Sequence, residues 1–299
     1  MIDPYNRKIT GLRISITQRC NLNCKYCHHE GEEKSSREMK CEEIIRIIKI
    51  AKNMGIRRVK FTGGEPLIRD DIGEIIKKTI DIGLEDVAIT TNGSLLNNKI
   101  DELFRAGLRR LNISIPSLNP HVYSYITGGN LLDVISGVHS AIRKGMNVKI
   151  NTVIMKGIND NEIYEFINFA SSLRCSLQLI ELEKLNINDD FFEKHYIDLS
   201  FIEKILENLA EEVIVREDMN DRKVYVVNGI PIEVVRPTYP NFCKKCSRIR
   251  ITSDGKIKPC LMRNDNLVDI LTPMRNGASD EEIEKLFIKA VMLRAPYYK

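Results

Sequence analysis

Apolar residues along the chain fall into short strand-like runs that alternate with longer stretches at helical spacing. The first run spans Leu12 to Thr17. Cys41, Ile44, Ile45, Ile48 and Ala51 then mark one face of a helix that Gly55 can cap at its C-terminal end, and Val59 to Thr62 reads as the following strand. The plan repeats with a helix through Ile72, Ile75, Ile76, Thr79 and Ile80, a stop at Gly83 and a strand over Val87 to Thr90. It repeats again with Ile100, Leu103 and Phe104, a stop at Gly107 and a strand over Leu111 to Ile115. A helix through Val134, Ile135, Val138 and Ile142 ends at Gly145 before a strand from Val148 to Ile154. Another through Ile163, Phe166, Ile167 and Ala170 precedes Leu177 to Ile180, which completes about six βα units.

Strands alternating with helices of this length call for right-handed crossovers and a parallel sheet covered by helices. The expected class is α/β: a doubly wound sheet or a full or partial βα barrel. After about Ala210 the pattern changes to Val213-Ile214-Val215 and Val224 to Val227, then a cysteine-bearing loop and a closing helix through Ile283 and Leu286 to Val291. The boundary falls between Asn208 and Val215, which separates residues 1–210 from a smaller C-terminal domain, 211–299.

Composition narrows the function classes. With 299 residues, 43% hydrophobic and 29% charged, the chain reads as wholly folded. A net charge of +4, from 45 basic and 41 acidic residues, is too mild to argue for nucleic acid or an anionic membrane. The N-terminus lacks the apolar core of a signal peptide and no run is long enough to span a bilayer, so a cytoplasmic location is expected. In that reducing compartment the eight cysteines point to metal ligands or buried thiols, not disulfides.

Six of the eight fall into two groups. Cys20, Cys24 and Cys27 place three thiolates on one loop after the first strand, close enough to clasp a polynuclear cluster. A complete ferredoxin-type cluster requires a fourth cysteine. None lies nearby, which leaves one iron open for the amino and carboxyl groups of S-adenosylmethionine (SAM). Zinc is the alternative, since His28 and His29 follow at once. Gly63-Gly64-Glu65-Pro66 ends the second strand, where a backbone without Cβ atoms can approach a ligand, although an isolated Gly-Gly also serves as a tight turn. Thr91-Asn92-Gly93 ends the third, so all three loops are expected at one mouth. Cys243, Cys246 and Cys260 form the second group, with Arg248 and Arg250 on one face of a strand between them. A second iron-sulfur cluster or a zinc ion fits this trio. Cys41 and Cys175 are expected to be buried small hydrophobes.

Taken together, Cys20 to Cys27, Gly63 to Pro66, Thr90 to Gly93, Asn112-Ile113-Ser114, Lys149 to Val153 and Cys243 to Cys260 occur in the order found in the MoaA family, the GTP 3',8-cyclases, which the chain resembles over nearly its whole length. The resemblance implies an incomplete (βα)6 radical-SAM barrel with a C-terminal domain, two 4Fe-4S clusters, and the first step of molybdenum cofactor (molybdopterin) biosynthesis. In that step a 5'-deoxyadenosyl radical takes the ribose 3' hydrogen of GTP, and the sugar radical attacks carbon 8 of guanine. The implied product passes to a cyclic pyranopterin monophosphate synthase, and an electron donor is required. By the same resemblance Tyr26, Gly64 and Ser114 contact SAM, while Arg13, Lys60, Thr90, Lys149, Arg248 and Arg250 contact GTP. Converging cations suit a triphosphate, with Arg offering paired donors and Lys a point charge.

Three positions depart from the family pattern. The chain ends Ala295-Pro296-Tyr297-Tyr298-Lys299 where bacterial members end in Gly-Gly, Pro116 stands where an acidic residue is usual, and Glu183 occupies the position of a SAM-contacting Met. The Cys-His-His-Glu-Gly run from Cys27 is similar to archaeal members. The competing reading is another radical SAM enzyme with an auxiliary cluster, acting on a peptide or a different nucleotide. A non-enzymatic electron-transfer or zinc-stabilised protein explains the cysteines but not the glycine loops. The chain is expected to be a monomer or homodimer.

Overall fold

The computed structural model describes residues 1–216, 221–237 and 240–296. Six βα steps open it: β1 (Gly11–Ser15), α1 (Cys41–Asn53), β2 (Arg58–Thr62), α2 (Ile72–Asp81), β3 (Asp86–Thr91), α3 (Leu96–Arg105) and β4 (Arg110–Ser114). Two helices, α4 (Pro120–Thr127) and α5 (Leu131–Arg143), then lead to β5 (Asn147–Ile154), α6 (Ile163–Ser172) and β6 (Ser176–Glu181). All six strands predicted from apolar periodicity are present, and each is paired in parallel with its sequence neighbour.

The helices follow from their sequences. α1 buries Cys41, Ile44, Ile45, Ile47, Ile48, Ile50 and Ala51 against the sheet, and truncating any one of those isoleucines to Ala costs about 2–5 kcal/mol. It stops at Met54, after which Gly55 adopts φ 95°, a left-handed turn that a β-carbon would strain. α4 was not expected. It is short, and its start depends on Asn119, whose side-chain oxygen accepts from the amides of His121 and Val122 ahead of a first-turn Pro120.

The C-terminal part comprises α7 (Asp189–His195), α8 (Ser200–Leu209), β7 (Glu212–Arg216), β8 (Arg222–Val227), β9 (Ile230–Val235) and α9 (Pro240–Lys244). It continues with β10 (Arg248–Ile251), β11 (Lys256–Lys258), β12 (Val268–Asp269), α10 (Leu271–Arg275) and α11 (Asp280–Met292). These strands extend the same sheet, whose order is β12-β11-β10-β1-β2-β3-β4-β5-β6-β9-β8-β7. β10 lies parallel to β1 and β9 parallel to β6, so the barrel strands at both ends are paired by later segments. An uncovered strand edge leaves backbone donors and acceptors unpaired, and here the C-terminal strands satisfy them. The sheet order is open, as expected of an incomplete barrel. Arg248 and Arg250 of β10 therefore stand in register beside Gly11 and Arg13 of β1.

Candidate active site

The first cysteine loop follows β1 at the C-terminal end of the sheet and is tied to its surroundings by main-chain bonds. Asn23 N donates to Thr127 O at 3.0 Å, Lys25 N to Ile126 O at 2.9 Å and Cys27 N to Cys24 O at 3.0 Å. Asn92 Nδ2 donates to Cys20 Sγ at 3.9 Å and to Asn21 Oδ1 at 3.0 Å, which brings the loop after β3 onto the cysteines. Burial pushes the Cys24 thiol up to about 12, with further upward contributions from Cys27 and Cys20. Cys20 and Cys27 are also raised, first by burial. Three mutually repelling thiols become simultaneous thiolates only when positive charge arrives among them, which is what iron supplies.

The glycine loop backs this arrangement. Gly64 N donates to Thr17 O at 2.7 Å and Glu65 N to Arg19 O at 2.8 Å, so the loop lies against the residues just before Cys20. A β-carbon on Gly64 would sit 2.2 Å from Arg19 O, and one on Gly63, at φ +145°, would sit 2.3 Å from Thr17 O. Glu65 is fully buried and accepts from Leu67 N at 3.0 Å, Thr91 Oγ1 at 2.6 Å and Asn92 N at 2.7 Å. Burial raises its carboxyl to about 6 despite those donors. This one side chain joins the loops after β2 and β3, a role visible beforehand only as one letter of the glycine motif.

A cavity of about 370 Å³ opens beside Cys27. Its wall brings together Tyr26, Ser114, Arg13, Lys60, Thr90, Lys149, Arg248, Arg250 and the second trio, Cys243, Cys246 and Cys260, all singled out from sequence. Cys20, Cys24 and Gly64 do not form part of that wall; Gly64 packs against Arg19, just before Cys20. Twelve lining residues are Arg or Lys and four are Asp or Glu, far from the near balance of the whole chain. Burial, with repulsion from Arg250, pushes the Arg13 guanidinium down to about 10. Burial and then Arg13, Arg110, Lys149 and Arg248 hold Lys60 well below the ordinary lysine range. At Cys246 burial raises the thiol, but Arg248, Arg294 and Arg250 prevail and bring it down to about 7.

Two carboxylates that sequence did not single out organise these cations. Glu30 accepts from Arg250 Nη1 at 2.7 Å and Thr62 Oγ1 at 2.8 Å, with Arg13 Nη1 at 3.8 Å. Burial opposes its ionisation, yet Arg13 and Arg250 hold the carboxyl at about 2. Glu233, 3% exposed, accepts from Lys149 and Arg222. Two buried acceptor atoms on cavity residues, Asn151 Oδ1 and Glu183 Oε2, have no hydrogen-bond partner, as in a site shaped for a ligand's donors. The backbone of the second trio is clasped by two buried arginines: Arg7 donates to Cys243 O at 3.0 Å and Arg294 to Cys246 O at 2.9 Å. Arg7 also holds Ala295 O and Pro296 O, so the chain end approaches the cavity, although Tyr297 to Lys299 lie outside the described residues.

The donor sets fit iron-sulfur clusters better than single zinc ions. Three thiolates on one tetrahedral zinc would lie about 4 Å apart. Among the described residues the one trio of possible ligand atoms mutually within 4.8 Å is Cys41, Glu42 and Glu74, and both cysteine trios are more widely spaced. In a cluster each thiolate takes a different iron. Cys41 and Cys175 are buried as expected, and burial pushes both thiols up to about 11.

Comparison with known proteins matches residues 14–170 to the Radical SAM superfamily and residues 175–299 to Molybdenum Cofactor Synthesis C. A protein of Pyrococcus abyssi named "Probable GTP 3',8-cyclase" is 46% identical over 100% of this chain and 99% of its own length. The chain belongs to the GTP 3',8-cyclase family of radical SAM enzymes. A second family member, from Methanosarcina acetivorans, is 48% identical over 100% of this chain and 90% of its own length. Among solved structures, Streptococcus suis SuiB bound to precursor peptide SuiA superposes with a TM-score of 0.68 at 19% identity, covering 86% of this chain and 60% of that one. Native anSMEcpe with bound AdoMet and a peptide gives 0.64 at 17% identity, covering 97% and 81%. At those identities the likeness is one of fold: the family's incomplete radical-SAM barrel is the architecture described above. No helix among the described residues is long and apolar enough to cross a membrane.

Proposed function

We infer that the chain is a radical SAM GTP 3',8-cyclase acting at the first step of molybdopterin biosynthesis. The observation that carries this reading is one cation-rich cavity on whose wall Cys27 of the first trio and all of the second trio meet. A peptide substrate gives no reason for twelve basic side chains there, whereas a nucleoside triphosphate does. Cys20, Cys24 and Cys27 would hold one 4Fe-4S cluster and Cys243, Cys246 and Cys260 another, with Tyr26, Gly64 and Ser114 as SAM contacts. When bound, the first cluster and SAM supply the radical that removes the ribose 3' hydrogen of GTP.

The protein's own residues bind and orient. Arg13, Lys60, Thr90, Lys149, Arg248 and Arg250 receive the nucleotide, the cations neutralising phosphate oxygens that would otherwise be desolvated alone. Gly64 keeps the loop after β2 close against Arg19, so Tyr26 and the cysteine loop stay in place. The division at residue 210 then separates the part that holds the first cluster from the part, 211–299, that holds the second. An electron donor, hand-over to a cyclic pyranopterin monophosphate synthase, a cytoplasmic location and a monomeric or homodimeric state complete the proposal. Anaerobic reconstitution with SAM, reductant and each of the four nucleoside triphosphates tests it. GTP alone should yield 5'-deoxyadenosine together with a cyclised isomer of the nucleotide; the same yield with every triphosphate, or with none, contradicts it.

A further inference from the structure

Three cavity cations converge on one carboxylate of β9. Lys149 Nζ donates to Glu233 Oε1 at 2.6 Å, Arg222 Nη1 to Glu233 Oε2 at 2.7 Å, and Arg216 Nη1 reaches Oε1 at 3.5 Å. Glu233 is not part of the cavity wall, but Lys149, Arg216 and Arg222 all are. It therefore grips them from behind. Arg222 also donates to Gln178 Oε1 at 3.3 Å, and its guanidinium lies 5.9 Å from the centre of the Phe242 ring. Arg248 lies 5.0 Å from the same ring, so Arg222 shares a carboxylate with Lys149 and an aromatic ring with Arg248. Of Lys149 and Arg222, the one carboxylate balances a single charge. The other, largely withdrawn from water, faces the cavity and calls for an anion with several oxygens.

We propose that Arg222 is a further ligand of the nucleotide triphosphate, and that Glu233 is the positioning residue that holds Arg222 and Lys149 side by side to receive it. The proposal rests on the GTP reading above and assigns one end of the cavity to the phosphates. It also runs against simple charge counting. Deleting a negative group beside a triphosphate raises the local positive potential and should tighten binding; loss of a positioning group lets two repelling cations separate and weakens it.

The experiment is anaerobic equilibrium binding of labelled GTP and guanosine to the holoenzyme, with iron content as the check on folding. Glu233→Gln and Arg222→Gln are each expected to weaken GTP at least tenfold and to change guanosine less than twofold. Glu233→Asp should recover part of the loss. In turnover the same variants should raise KM with kcat within threefold. In an Arg222→Gln/Lys149→Ala background, Glu233→Gln should add less than twofold. GTP binding that is unchanged or tighter in Glu233→Gln or Arg222→Gln, or an equal loss for guanosine, overturns the proposal. Should Glu233→Gln lose iron, Arg222→Lys decides, because it keeps the charge but not the planar fork. It should weaken GTP several-fold, and unchanged binding overturns the assignment. Wild-type enzyme that cleaves SAM but binds no GTP would instead refute the functional reading.

Discussion

Arg250 donates to Glu30 at 2.7 Å, a bond between residues 220 positions apart that fastens β10 to the segment just after Cys27. It links the element bearing the cations of the second trio to the loop of the first. Glu30→Gln removes the countercharge from half-buried Arg13 and Arg250; breaking a fully buried pair costs roughly 3–5 kcal/mol, and the partial exposure of both arginines makes that an upper bound here. A lower Tm and at least a tenfold rise in the KM for GTP are expected. Thermal denaturation of the holoenzyme and steady-state kinetics would show both.

Lys60 gives a pH signature. Burial among Arg13, Arg110, Lys149 and Arg248 lowers its pKa in the free enzyme, and a bound triphosphate would raise it again. GTP binding should therefore take up protons, and affinity should fall as pH rises through the free-enzyme pKa of Lys60. Calorimetry in two buffers of different ionisation enthalpy measures the uptake. Lys60→Met should abolish it and weaken GTP about 10- to 100-fold, the loss of one charge-assisted bond.

What could be read from the sequence was what is local in it. The strands β1 to β6, the helices between them and both cysteine trios announce themselves through spacing over a few residues. The short α4 buries only Tyr123, Ile126 and Thr127, too few to set a periodic face. β9 does carry a local signal: Asn228-Gly229 is the residue pair favoured in two-residue hairpin turns, and both residues take positive φ between β8 and β9. Glu30 and Glu233 had none. Their partners Arg250 and Lys149 lie 220 and 84 residues away, and only the folded sheet brings them together.

Gly64 tests the contact with Arg19. Gly64→Ala drives a β-carbon to 2.2 Å from Arg19 O, and such overpacking costs about 1–3 kcal/mol or displaces the loop. SAM affinity should drop at least tenfold while the second cluster remains, as read by dialysis and by electron paramagnetic resonance. Gly145→Ala, strained by its φ of +72° but with nothing within 4 Å, should lower the Tm and yet leave SAM binding unchanged, which separates general destabilisation from loss of the Gly64 contact.

The cysteines divide into three classes. Cys24→Ala should lower iron from about eight to about four per chain and abolish SAM cleavage. Cys260→Ala should lose a similar amount of iron yet keep SAM cleavage, now without cyclised product. Cys41→Ala and Cys175→Ala should retain full iron and activity, because both thiols are buried away from the cavity. Iron analysis alongside a 5'-deoxyadenosine assay separates the classes.

The most direct measurement is the mass of the 5'-deoxyadenosine released when the reconstituted enzyme turns over GTP deuterated at the ribose 3' position. Deuterium from that position should appear in 5'-deoxyadenosine. Unlabelled 5'-deoxyadenosine formed while the same GTP is converted to product would contradict hydrogen removal at that carbon.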